Sequence, residues 1–203
     1  MSRKAPFEFS GGNLCLDFAN TVDSRPTDRR QELLTSYADL VRWGEEASVL
    51  TQKEGDRLCR QASEAPGHAK IALRHGVHLR EAIFAIFLAV AERRAAPGTS
   101  LAVLNAEVQE AAAHLRLTRA NRSFTWEWIM PDNRLDSILW PVARAAAELL
   151  TSDELEHVRR CASETCAWLF LDKTKNHRRR WCEMRTCGNR DKARRYYERS
   201  KTS

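Results

Sequence analysis

The sequence predicts a mainly α protein: a multihelical body bearing one small β-hairpin, then a C-terminal hairpin-helix module. Three observations predict it. Apolar residues recur at helical spacing through most of the first 156 residues. The period drops to two only around 115–128. Four of the six cysteines then crowd into the last 47 residues, where Lys and Arg also collect.

The elements follow in chain order. Phe7 and Phe9 alternate with polar neighbours and fit an edge strand. Ser36 caps a short helix bearing Tyr37, Leu40 and Val41, stopped near Gly44. Thr51-Gln52-Lys53-Glu54 is a capping box, so a helix follows it and reaches Pro66-Gly67. A long helical pattern runs from about His68 to Ala96, with Ile83, Ile86, Phe87 and Val90 in phase and Pro97-Gly98 ending it. Thr99 or Ser100 opens a further helix carrying Leu101, Leu104 and Val108 to about His114.

Leu115 and Leu117, then Phe124, Trp126 and Trp128, alternate with polar residues around Ala120-Asn121-Arg122, which predicts a β-hairpin. After Pro131-Asp132 the helical period returns from Leu135 to Leu150, and Pro141 should kink or restart that helix. Thr151-Ser152-Asp153-Glu154 reads as a second capping box, opening a short helix that delivers Cys161.

Composition excludes several classes. At 43% hydrophobic and 30% charged, with 8 Gly and 6 Pro, the chain is neither disordered nor fibrous. No apolar run approaches the roughly 18 residues of a membrane span. No apolar h-region follows the start, so a soluble, cytoplasmic protein without membrane partners is expected. The formal charge is +6, and its distribution says more. Residues 157–203 hold 14 Lys and Arg against 5 Asp and Glu, a net of +9, while the preceding 156 hold 19 against 22, a net of −3. A basic end on an acidic body points to a polyanion partner.

Cys161, Cys166, Cys182 and Cys187 form C-x4-C, fifteen residues, then C-x4-C. Two cysteine pairs flanking a hairpin-length loop suit one structural Zn2+ held by four thiolates. Two disulfides are the competing reading, and a cytoplasmic address argues against them. A segment of about 45 residues rarely folds on its own core, and zinc can supply on the order of 10 kcal/mol. Without metal this end should be disordered or lean on the body. The expected division is 1–156 and 157–203.

Within the module, Trp168-Leu169-Phe170-Leu171 reads as a strand, 173–177 as a turn and 178–182 as the returning strand. A helix follows with Asn189 as its N-cap and Asp191 in its first turn. Lys173, Lys175, Arg178, Arg179 and Arg180 fall on the hairpin; Arg190, Lys192, Arg194, Arg195 and Arg199 fall on the helix. Such clusters neutralise phosphates, and arginines also read base edges, so nucleic acid, DNA foremost, is the expected partner. Tyr196 and Tyr197 suit packing on the hairpin better than stacking on bases.

The body offers little chemistry. No phosphate-loop, dinucleotide, H-E-x-x-H or nucleophile-elbow motif occurs and no acid/base constellation assembles, so an enzyme is not expected. His75 and His78, with Glu81 a turn beyond, read as a helix histidine pair rather than a metal site. Cys15 and Cys59 read as small buried hydrophobes. Asp17, Asn20, Thr21, Asp23 and Arg25 form a polar cluster read first as capping and loop bonding. The sharper alternative makes Asp17, Asn20 and Arg25 a wall of a small-ligand pocket, with Arg80 or Arg144 as partner.

The run from Cys161 to about Arg199, with W-C-x-M-x-x-C-G-N-R at Trp181–Arg190 and F-L-D at Phe170–Asp172, resembles the CGNR-type zinc finger of bacterial proteins. GGNLCLDFANTVDSR at 11–25 is similar to the opening of the ABATE domain. The resemblance implies a stress-induced transcriptional regulator with a mostly helical N-terminal domain and with the four cysteines as zinc ligands. The resulting expectation is a two-part regulator whose helical body senses an effector or forms a homodimer and whose zinc module binds DNA. The alternatives are a zinc-stabilised protein-interaction adaptor or an RNA-binding protein.

Overall fold

A computed structural model describes residues 7–129, 131 and 134–201, with the side chains of Arg195, Glu198, Arg199 and Lys201 outside the described set. Seven helices are described: α1 (Leu14–Ala19), α2 (Tyr37–Glu46), α3 (Gln52–Glu64), α4 (Pro66–Ala91), α5 (Gly98–Ala113), α6 (Leu139–Leu150) and α7 (Asn189–Lys201). Three antiparallel two-stranded ribbons accompany them: β1 (Val22–Asp23) with β2 (Gln31–Glu32), β3 (Leu115–Ala120) with β4 (Ser123–Trp128), and β5 (Val158–Arg160) with β6 (Leu169–Leu171). The mainly α expectation holds.

Local chemistry sets the helix starts. Ser36 and Asp39 close a capping box on α2, and Thr51 and Glu54 close the expected one on α3. Pro66 occupies the first turn of α4, where its missing N–H costs nothing. Pro141 sits in the first turn of α6 for the same reason, so that helix begins around the proline instead of kinking at it.

α4 is the central element. Leu79, Ile83, Ile86 and Phe87 are fully buried, and α1, α2, α3, α5 and β5 pack around the helix. One core runs from Leu16 and Phe18 of α1, through Trp43 and Leu139, to Val158 of β5 and Leu169 and Leu171 of β6. The segments before and after residue 157 therefore share a core, and the C-terminal end leans on the body.

Several expectations are corrected. Residues 7–10 form no strand; Phe7 lies beneath the Arg42 guanidinium, 4.5 Å from its ring centroid, and its N–H donates to Glu46. Thr151 ends α6, its hydroxyl donating to the Ala147 carbonyl, so no second capping box forms. One 3-10 turn at Asp153–His157 leads directly into β5.

The partner of β6 is β5, not the 178–182 segment. Both edges of β6 are occupied, one by β5 and the other by α1 and the loop before it, so no edge remains for a returning strand. Asn189 is not an N-cap. Its backbone is helical (φ −70°, ψ −37°) and its amide donates to the Arg185 carbonyl, continuing a wide π-type turn at Met184–Gly188 into α7. Cys15 is buried as expected, whereas Cys59 is exposed.

Candidate metal centre and the basic surface around it

β6 alternates its side chains between two environments. Leu169 and Leu171 enter the body core, while Trp168 and Phe170 face the four cysteines. The 3-10 turn and β5 deliver Cys161, the turn before β6 delivers Cys166, and the π-type turn returns Cys187 beside Cys182, which precedes it by two residues.

All four sulfurs are buried and lie within 4.8 Å of one another. Cys166 and Cys182 are 3.6 Å apart, and Cys182 and Cys187 are 3.7 Å apart. Those separations are far too long for a disulfide, which spans about 2.05 Å. They match the edge of about 3.8 Å that a tetrahedron with metal–sulfur bonds of about 2.3 Å demands. The Trp168 N–H points at the Cys166 sulfur from 3.5 Å, the kind of donor that stabilises a ligating thiolate. Crowding also splits the thiols: hydrogen bonding from Cys166 pulls Cys161 down, while Cys161 pushes Cys182 up. A divalent cation resolves that conflict by letting every sulfur ionise. The donor set, four soft sulfurs in a closed cage, fits one structural Zn2+ and leaves no position for substrate.

Asp172 organises the loop that follows. It is fully buried, and its carboxylate accepts from the Thr174 N–H and hydroxyl and from the Arg179 N–H. Those bonds hold Asp172 below the usual carboxylate range against the opposing effect of burial. His177 bonds the Asp172 carbonyl and stacks on His157, ring centroids 3.7 Å apart.

The cations of the module divide. Arg179 is committed to the fold: its Nε donates to the Trp181 carbonyl, a terminal nitrogen reaches the Cys182 carbonyl, and its guanidinium covers Phe170. Arg194 pairs with Glu164 and Asp191, Lys173 lies 3.8 Å from Glu154, and Arg190 donates to the Thr165 hydroxyl. Lys175, Arg178, Arg180 and Lys192 are exposed, with Arg180 beside the Trp181 ring. The Arg195 and Arg199 side chains lie outside the described residues.

The polar cluster of the N-terminal segment is not brought together as a pocket wall. Asp17 is turned inward and accepts from the Gly11 N–H at 2.7 Å; burial lifts its pKa to about 6. A Cβ on Gly11 would sit 2.8 Å from that carboxylate, so glycine is required there. Asn20 bonds Leu169 through both ends of its amide. Arg25 pairs with Glu81 at 2.8 Å and lies over Phe84.

Arg80, fully buried, does join this region. It donates to both oxygens of Glu32, to Glu81 and to the Thr21 hydroxyl, completing an ion-pair network rather than a ligand site. Arg144 is elsewhere, paired with Glu148. His75 turns to Glu107 and Asp136, not to His78, and among the described residues only the four cysteines form a metal-ligating group.

The residues that sequence reasoning missed are those of the seam between body and module. The Trp168 indole N–H donates to the Val22 carbonyl at 2.8 Å, and the Leu171 N–H donates to the Gly11 carbonyl at 2.7 Å. The one signal in the sequence was a pair of polar residues inside an apolar stretch, Asp17 and Asn20, whose partners the sequence does not identify.

Comparison with known families agrees with this architecture. Residues 12–153 match the ABATE family, described as "Putative stress-induced transcription regulator", and residues 157–200 match the CGNR zinc finger. No curated protein gives a significant match. Among the described residues no helix is long and apolar enough to cross a membrane. The chain belongs to the ABATE family and carries a C-terminal CGNR zinc finger that holds one structural zinc through Cys161, Cys166, Cys182 and Cys187.

Proposed function

We propose that the chain is a cytoplasmic, non-enzymatic transcriptional regulator whose zinc module binds DNA and whose helical body senses an effector or mediates dimerisation. One observation carries the DNA reading. Lys175, Arg178 and Arg180 are exposed on a loop pinned by Asp172 and running into the zinc cage, and Arg190 and Lys192 are exposed at the start of α7, which leaves the same cage. Cations on a rigid frame neutralise phosphates without a large ordering cost, which favours tight, salt-dependent binding. The charged groups gathered in the body, Glu32, Arg80, Glu81 and Arg25, are paired with one another, which favours scaffold over catalysis.

The sensor role is favoured by a cleft of about 810 Å³ where the end of α4 meets the 3-10 turn and the Asp172 loop. Its lining includes Arg93, Arg159 and the stacked His157 and His177, so an effector there would touch body and finger together.

The test is fluorescence anisotropy of labelled duplex DNA with the zinc-loaded chain across a salt series. Lys175→Ala/Arg178→Ala/Arg180→Ala should weaken binding and reduce the salt slope by about 0.9 for each phosphate no longer neutralised. Unchanged binding by the folded triple variant would sink the DNA reading. Preference for single-stranded or duplex RNA over the same DNA sequence would move it to RNA. Absence of binding to either would leave the protein-interaction adaptor.

A further inference from the structure

The β3–β4 hairpin carries an apolar face that the fold only half covers. Its register sets Leu115 opposite Trp128 and Leu117 opposite Trp126, so these residues and Phe124 share one side. At the base that side is anchored: Trp128 lies 6.3 Å from the Trp140 ring, and the Ile129 N–H donates to the His114 carbonyl. Farther out the cover thins to one side chain: the guanidinium of Arg144, neutralised by Glu148, lies 5.4 Å from the Trp126 ring centroid. Leu117 is 56%, Phe124 69% and Trp126 54% exposed. A two-stranded ribbon is marginal by itself in water, and exposed aromatics on it are costly to leave wet.

We propose that this face is the contact through which two copies of the chain form a two-fold dimer. Charge favours a second copy over a polyanion. Among the described residues of the two strands, the only charge on that face is Arg119, whose Nε is already bonded to the Asn121 carbonyl. On the reverse side Arg116 and Glu127 neutralise each other at 3.2 Å. Area favours it as well. The exposed parts of Leu117, Phe124 and Trp126 amount to roughly 400 Å² per copy, about 800 Å² for two. At the usual apolar share near 60%, that core scales to about 1,300 Å² in total, within the range of specific, stable interfaces. A two-fold contact uses one patch twice, so a single self-complementary face suffices.

The proposal supplies the surface for the dimerisation half of the functional reading and is independent of its DNA half. Its test is the molar mass of the zinc-loaded full chain, without DNA, by light scattering and sedimentation at micromolar concentration. The wild-type chain should give the dimer mass. Phe124→Ser/Trp126→Ser should raise the dissociation constant by about a hundredfold or more, with helical circular dichroism and zinc content unchanged. Thr125→Lys, on the reverse side, should stay dimeric. A monomeric wild type overturns the proposal, and so does a folded double variant that remains a dimer. Should the double variant lose its helical signal, Leu117→Lys gives the same comparison from one exposed position. Loss of DNA binding with the dimer intact would reject the DNA reading alone.

Discussion

The Asn20 amide donates to the Leu169 carbonyl at 2.8 Å and accepts from the Leu169 N–H at 2.9 Å. Residues 149 apart in sequence are thereby joined as neighbouring strands would be. Asn20 takes the place of a third strand beside β6, while the Gly11 carbonyl serves Leu171 two residues along the same edge. Asn20→Ala would leave both buried Leu169 groups without partners, at a cost of about 2–4 kcal/mol in unfolding free energy. Asn20→Asp should be no milder, because it sets a carboxylate oxygen against the Leu169 carbonyl. Urea denaturation measures both; a change within about 0.5 kcal/mol for the alanine variant would contradict the seam.

The two faces of β6 join the metal site to the core. Phe170 packs with the cysteines, and Leu169 and Leu171 pack with the body. Removing zinc should therefore loosen the whole chain, not only its end. Elemental analysis should find one zinc per chain, lost in Cys182→Ser. Calorimetry after chelation should show one transition lowered by about 5 °C or more, equivalent to roughly 2 kcal/mol at this size. A body transition at its original temperature, with only the last 40 or so residues unfolded, would show that the shared strand carries no coupling.

Neighbouring arginines should separate stability from binding. Arg179→Ala removes the donor to the Trp181 and Cys182 carbonyls and uncovers Phe170, so it should cost about 1.5–3 kcal/mol and weaken zinc retention. Arg178→Ala, at an exposed position, should stay within about 0.5 kcal/mol of wild type and act only on nucleic-acid affinity. Denaturation curves and anisotropy on the two variants test the division; matched effects on both readouts would refute it.

The helices of the body were legible because their signals are local. Ser36 and Thr51 stand directly before their helices, with acidic partners three residues on, and Leu79, Ile83, Ile86 and Phe87 keep one phase. The zinc ligands were legible because few other arrangements use four paired cysteines. The seam was not, because a side-chain amide bonding a distant backbone leaves no periodic trace. The β5–β6 pairing was missed for a related reason. The 178–182 segment looks like a strand, and only tertiary context shows that β6 has no free edge. Arg179 likewise looks identical to Arg178 and Arg180 until the Asp172 turn fixes which of the three points inward.

The body also carries a pH-sensitive contact. His75 lies 2.7 Å from the buried Glu107 and 3.7 Å from Asp136. Hydrogen bonding to Asp136 and to Glu107 raises its pKa to about 10 despite partial burial. Asp136, opposed by burial, is held well below the usual carboxylate range by His75 and Arg134. A histidine raised in the folded state binds its proton more tightly there than in the unfolded chain, where its pKa is about 6.5. Its contribution is therefore complete below about pH 6.5 and is lost as pH climbs toward about 10. With the imidazole 38% exposed, solvent screening trims the size of the effect but not its sign. Wild type should lose its stability advantage over His75→Gln progressively across that window, measured by urea denaturation at stepped pH. A difference that stays constant, or grows, between pH 6.5 and 10 would show that His75 is not held protonated by its two carboxylates.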